Sequence, residues 1–229
     1  MPRDEQFEVL FRVLRRFHET GVLSDLMLIG SWCLHFYRFY FENPYTLPAF
    51  RTLDVDFLVP NPKQIKKEVD LSAILKQEGF IPVFNRSSGI VKYDHPELEV
   101  EFLIPELGRG DDRPREINKL HIQAQALRYL TLLLVHPCVV SCQGLQIKVP
   151  EPAAFAVHKL IVSARRPGKV KQQSDLETAV GLLEFLHTRP NEVARVKSIL
   201  KSLPKKWLKA TLSISEKYFP RLNETAKSI

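Results

Sequence analysis

Residues 52–59, Thr-Leu-Asp-Val-Asp-Phe-Leu-Val, alternate polar with apolar side chains and stop at Pro60. A period of two marks a strand with one face on a core. Asp54 and Asp56 then project from the same face, with Cα atoms about 6.6 Å apart. Two anions held that close repel unless a cation sits between them. Mg2+ is the natural guest, because it prefers hard carboxylate oxygens and keeps positions open for water and phosphate. An isolated Asp-x-Asp pair is more often a solvent-facing strand edge, so the weight falls on its surroundings.

Upstream, Phe7, Leu10, Phe11, Leu14 and Phe17 recur at helical spacing, which predicts an amphipathic helix ending before Gly21. The short apolar run Leu26–Ile29 is cut by Gly30-Ser31 and followed by Trp32–Phe41, apolar or aromatic on nearly every side. This reads as a buried strand, a tight turn and a buried helix. A strand that enters a helix through glycine turns backbone N–H groups and the positive helix end toward an anion, and Ser31 adds a hydroxyl donor. Downstream, the proline-bearing stretch 43–50 is a loop, and a helix is predicted over Asp70–Gln77 with Asp70 as its cap and Gly79 at its end. Three strand-like runs follow at 81–85, 90–93 and 98–104, the first two joined by the turn Arg86-Ser87-Ser88-Gly89.

The last of these runs carries a second same-face acidic pair, Glu99 and Glu101. Either could complete a three-carboxylate cluster if its strand lies beside the first. Glu101 is favoured because it leads into Phe102-Leu103-Ile104, while Glu99 stays open; if neither is a ligand, both solvate the open face of the sheet.

The order of these parts is strand, Gly-Ser, helix, loop, strand with Asp-Val-Asp, then strand with a further acid. In that order the chain resembles the nucleotidyltransferase superfamily named for DNA polymerase beta, whose signature is an apolar residue with Gly-Ser, then Asp-x-Asp, then a single acid between apolar neighbours. Arg51-Thr52-Leu53-Asp54-Val55-Asp56 is also similar to the variant found in bacterial abortive-infection and toxin-type nucleotidyltransferases. The resemblance covers residues 22–105 well and the remainder loosely. It implies that Asp54, Asp56 and Glu101 bind two Mg2+ ions, for which Mn2+ would substitute. It also implies that Gly30, Ser31 and Arg51 hold a nucleoside triphosphate and that the third carboxylate serves as general base. RNA, a protein or a small molecule would supply the accepting hydroxyl, and an antitoxin partner follows from the toxin-type likeness.

Beyond a polar loop over 108–115, the segment 120–149 is undecided between helix and strand, except for a hairpin of Val139-Val140 with Leu145–Val149 around Gln143-Gly144. Pro150 and Pro152 mark a boundary, after which helices are predicted over 153–164, 174–186, 192–203 and 205–218. The expected fold is therefore α/β (α+β): a small mixed sheet with flanking helices over residues 1–150, then a helical domain over 151–229. No internal repeat is visible.

Charge divides along the same line. Residues 151–229 hold 15 Lys+Arg against 7 Asp+Glu, while the first 150 hold 18 against 19. That asymmetry suits an anionic partner for the C-terminal part, a triphosphate or a nucleic acid, or else a lysine-rich solvated helical face. Lys159 and Arg166, seven apart, would share one helix face. Related toxin-type enzymes carry a lysine and a Lys-x-x-Asp pattern at the corresponding place; here Lys171 and Asp175 are four apart, and an ordinary surface pair is the alternative. Lys159, Arg166 and Lys171 thus join the expected nucleotide-binding set.

Asp111-Asp112 reads as a solvated turn, and His35 and His158 as hydrogen-bonded core residues rather than catalysts. The aromatic run from Phe36 to Phe41 reads as core packing. Three cysteines, Cys33, Cys138 and Cys142, without a Cys-x-x-Cys pair, argue against a disulfide framework or a zinc site. No apolar run approaches the roughly 20 residues of a membrane helix, and Met1–Glu5 lacks a signal-peptide pattern, so a soluble cytoplasmic protein is expected.

Overall fold

The computed structural model describes residues 4–41, 47, 52–85, 89–106, 108, 113–166 and 168–227. Arg51, the turn at 86–88 and Asp111-Asp112 lie outside them. The chain forms two compact units: Met1–Glu42, Ala49–Thr131 and Pro137–Val149 in the first, and Asn43–Pro48, Leu132–His136 and Pro150–Ile229 in the second.

The first unit is a mixed sheet with helices. Helix α1 (Asp4–Thr20) buries Leu10, Phe11, Val13, Leu14 and Phe17. Strand β1 (Met27–Ile29) passes through a single 3-10 turn, Gly30–Trp32, into α2 (Cys33–Tyr40). Strand β2 (Asp54–Leu58) precedes α3 (Leu71–Gln77), where Asp70 caps the helix by accepting a hydrogen bond from the Ala73 N–H at 2.7 Å. Then come β3 (Ile81–Asn85), β4 (Ile90–Asp94), β5 (Glu99–Pro105), β6 (Arg115–Ile117) and β7 (Ile122–Leu127).

The sheet order is β1-β2-β5-β4-β3, with β7 also pairing β5 and β6 pairing β7. Strand β5 runs parallel to both β2 and β7, and the other pairings are antiparallel. Val55, Phe57, Val100 and Phe102 are buried on one side of the central pair, so the alternate positions of β2 and β5 are forced to the opposite face. A separate hairpin, β8 (Cys138–Cys142) with β9 (Leu145–Val149), turns through Gln143 and Gly144, both at positive φ, and packs on α2 and β1.

The segment left undecided by its sequence thus contains a strand, β7, as well as the hairpin. Its alternation is real, with Ile122, Ala124 and Ala126 buried and Gln123 and Gln125 half-buried, but alanine and glutamine are helix formers that blur a period of two. All three cysteines are buried. No helix among the described residues is long and apolar enough to cross a membrane.

The second unit is helical: α4 (Pro152–Ser163), α5 (Lys169–His187), α6 (Pro190–Ser202), α7 (Lys205–Tyr218) and α8 (Arg221–Lys227). Helix α4 is buried along almost its whole length and packs on α5, α6 and α7. Glu151 caps it by accepting from the Ala154 N–H at 2.8 Å, and Pro152 fills the first position, where no hydrogen-bond donor is needed. Helix α5 starts five residues before the predicted Ser174, directly after Gly168, and α8 carries no strong sequence signal.

Candidate active site

The parallel pairing of β2 with β5 sets Asp54 opposite Glu99 and Asp56 opposite Glu101. Directly paired residues share a face. The two acidic pairs therefore form one patch at the centre of the sheet, all four side chains half-buried above the apolar layer of Val55, Phe57, Val100 and Phe102. The local backbone is tied in place: the Asp54 N–H donates to Thr52 Oγ1 at 3.1 Å, and the Glu99 N–H donates to the Leu53 carbonyl at 2.8 Å.

Across the other edge of β2, Ile29 pairs with Asp56, and the chain then leaves β1 at Gly30. Gly30 has φ +72°, and a Cβ built there would lie 2.0 Å from Asp56 Oδ2. The glycine-serine turn and the second aspartate are thus in direct contact, and no residue with a side chain fits at position 30 without displacing the carboxylate. Ser31 follows on the same 3-10 turn, half-buried.

Two further groups join the patch from β4. The register that pairs Asp94 with Glu99 and Tyr93 with Val100 continues to Lys92 opposite Glu101. Lys92 Nζ donates to Glu99 Oε1 and lies 3.2 Å from Glu101 Oε2. Burial alone would lower the lysine pKa, but the hydrogen bond to Glu99 and the charge of Glu101 outweigh it and raise the pKa above its ordinary 10.5. Asp94 has a buried Oδ1 without a hydrogen-bond partner among the described residues. Among the described residues, five carboxylates and one ammonium therefore share this face. Sequence reading missed Lys92 and Asp94, although their spacing on Ile90–Asp94 is that of one strand face; only the long-range register brings them to Glu99 and Glu101.

The donor set suits a hard cation, since Asp54, Asp56 and Glu101 offer carboxylate oxygens from adjacent positions on paired strands. Among the described residues, no group of three or more His, Cys, Asp or Glu side chains already stands ready to hold a metal ion. Glu101 is engaged with Lys92 instead.

The cations expected from the C-terminal part lie within the helical unit. Lys159 and Arg166 do not share one helix face, because α4 ends at Ser163. They converge on Asp175 of α5, which Lys159 Nζ reaches at 2.5 Å and Arg166 Nε at 2.8 Å. Lys159 and Asp175 are both buried. Asp175 is thus held by these two cations, and Lys171 is exposed on the first turn of α5. The residue before them, His158, is buried, and neither ring nitrogen has a hydrogen-bond partner among the described residues, contrary to the hydrogen-bonded role expected for it.

A family model described as nucleotidyltransferase matches residues 8–200. The chain belongs to this nucleotidyltransferase family. No curated protein matches the sequence significantly. Among solved structures, an antigenic nucleotidyltransferase-like protein from Paracoccidioides brasiliensis superposes with a TM-score of 0.54 at 15% identity, over 99% of this chain and 94% of that one. The solution structure of the antibiotic-resistance factor ANT(2'')-Ia covers 98% of each chain at 10% identity, with a TM-score of 0.43. At such identities likeness speaks to the fold alone, and the second is too remote to argue from. The mixed sheet with flanking and C-terminal helices is therefore a nucleotidyltransferase-type fold.

Proposed function

We propose that this nucleotidyltransferase moves a nucleoside monophosphate from a nucleoside triphosphate to a hydroxyl acceptor on RNA, a protein or a small molecule, forming the new phosphate ester as the α–β phosphoanhydride bond breaks and pyrophosphate leaves, in a reaction that depends on Mg2+ or Mn2+. The observation that carries this reading is the register of Asp54 and Asp56 with the β5 acids, closed at one side by the Gly30 backbone.

Asp54, Asp56 and Glu101 are the side chains that would hold two Mg2+ ions. Bound there, the metal supplies charge neutralisation for the phosphates and a lowered pKa for the attacking hydroxyl. Ser31 Oγ and the backbone N–H groups following Gly30 donate hydrogen bonds to triphosphate oxygens. Glu101 accepts the acceptor's proton as general base. The half-buried setting of the acids strengthens each of these interactions relative to open water. Arg51, Lys159, Arg166 and Lys171 belong to the same reading as triphosphate-binding cations, each tested by its alanine variant in a triphosphate-binding assay.

A second reading, a protein that binds nucleotide or nucleic acid without catalysis, is favoured by one observation: Lys92 sits on Glu101, the side chain assigned as third ligand. Incubation with Mg2+, labelled triphosphates and candidate acceptors including RNA separates the two. Labelled product that vanishes in Asp54→Asn supports catalysis. Absence of product, with triphosphate binding indifferent to Mg2+, overturns it, and salt-sensitive RNA or DNA binding that survives Asp54→Asn supports the second reading. An antitoxin partner is tested by expression: growth arrest relieved by Asp56→Ala supports it, and normal growth argues against it.

A further inference from the structure

Lys92 is the one cation contributed to the acidic face by β4, and it touches two acids at once. Its ammonium donates to Glu99 Oε1 and stands 3.2 Å from Glu101 Oε2. The side chains of Lys92, Glu99 and Glu101 are 29%, 29% and 21% exposed, so solvent screens the group only in part. Lysine is a compact point charge on a flexible four-carbon stem, and its three donors can be redistributed between two carboxylates without moving the backbone.

Glu101 therefore has a resident cation, and Glu99 provides that cation with a second seat. A divalent ion arriving at Asp56 and Glu101 and the ammonium of Lys92 are like charges competing for one carboxylate a few ångströms away. The register fixes the geometry of the contest: Asp56, Glu101 and Lys92 are successive neighbours across β2, β5 and β4, whereas Glu99 lies one pleat repeat further along β5, beside Asp54 and Asp94.

We propose that Lys92 is a built-in counter-cation that competes with divalent metal for Glu101, and that Glu99 is not a metal ligand but the anchor onto which Lys92 withdraws when metal binds. This rests on the reading of Asp54, Asp56 and Glu101 as a metal site. Lys92 is a positioning residue in that scheme: it holds Glu101 and limits mutual repulsion among the acids until a metal replaces it.

The test is Mn2+ titration followed by the electron paramagnetic resonance signal of free Mn2+, on the full chain, without nucleotide, alongside far-UV circular dichroism to confirm folding. The variants are Lys92→Met, Lys92→Gln, Glu99→Gln and the double variant Lys92→Met with Glu99→Gln. Lys92→Met and Lys92→Gln are expected to bind Mn2+ about five- to tenfold more tightly than the wild type, the scale of removing one partly screened cation from a carboxylate. Glu99→Gln binds more weakly, because Lys92 then rests on Glu101 alone. In the double variant the affinity returns to within about threefold of Lys92→Met, because Glu99 acts only through the lysine. Wild-type binding that both Lys92 variants leave unchanged overturns the proposal and leaves the metal site standing. A double variant more than about tenfold weaker than Lys92→Met overturns it as well, by making Glu99 a ligand. Absence of Mn2+ binding in wild type and Lys92 variants alike overturns both the proposal and the reading beneath it.

Discussion

Gly30 gives up the space of a side chain to Asp56: a Cβ there would meet Asp56 Oδ2 at 2.0 Å, at a backbone φ of +72°. Two independent constraints thus fall on one position. Gly30→Ala should cost roughly 1 kcal/mol or more for the left-handed conformation alone, and it must also push the carboxylate or the turn aside. We expect a Tm lowered by several degrees and nucleotidyl transfer reduced at least tenfold, read by thermal melting and by product formation. Unchanged transfer by a folded Gly30→Ala protein would show that contact with the turn does not matter to the chemistry.

Asp54→Asn and Asp56→Asn remove charge at positions that are half-buried but not core. Both should fold with a Tm close to that of the wild type, since they relieve repulsion with Glu99 and Glu101, their partners in register. Transfer activity should fall by about a thousandfold, the scale of losing electrostatic stabilisation at a reacting phosphate. Circular dichroism and a product assay on the same preparations measure the two halves of this prediction. A variant that kept more than a tenth of wild-type transfer would remove its aspartate from the site.

How far the sequence spoke depended on whether its signals were local. The alternation over 52–59 and the break at Gly30-Ser31 are properties of adjacent residues, and β2, β1 and the turn between strand and helix follow from them. Strand β7 is different: Ile122–Leu127 is written largely in alanine and glutamine, and it becomes a strand through pairing with β5 and β6. Lys92 is likewise an ordinary strand lysine until the β4–β5 register sets it against Glu101. Helical spacing links Lys159 and Arg166 in the sequence, yet α4 ends at Ser163. The sequence Pro167-Gly168 was the available warning, because the residue before a proline is biased away from helical backbone. What joins the two cations is Asp175, a partner that spacing alone did not reveal.

Asp175→Asn tests that partnership. It strips the countercharge from Lys159, which is buried, and from Arg166, which is partly exposed. Leaving a buried ammonium unpaired costs about 3 kcal/mol or more, so the Tm should drop clearly in thermal melts. Lys171→Ala, at an exposed position on the same helix, should leave the Tm within about a degree. Equal melting of Asp175→Asn and wild type would mean that the buried pair adds nothing net.

Stability should fall steadily on mild acidification, with two histidines as the main cause. Burial lowers the pKa of His158 from 6.5 to about 3, with the charges of Lys159 and Arg166 adding to the shift and Asp175 opposing it. Burial likewise lowers that of His35 to about 4, with its ring 4.1 Å from that of Phe7. Each ring is neutral when folded, while the unfolded chain takes up a proton below pH 6.5, so acid favours the unfolded state. The loss begins near pH 6.5 and continues toward pH 4, at up to about 1.4 kcal/mol per pH unit for each histidine. Asp175 adds its own loss lower down. Burial would raise its pKa, but Lys159 and Arg166 outweigh burial and hold it below 3.8, so its contribution is complete above that value and disappears as the pH drops through the folded pKa. Urea unfolding at pH 7, 6 and 5 should therefore show a steep decline in wild type and a shallower one in His158→Leu. Parallel declines in the two proteins would mean that His158 takes up its proton without unfolding the helices around it.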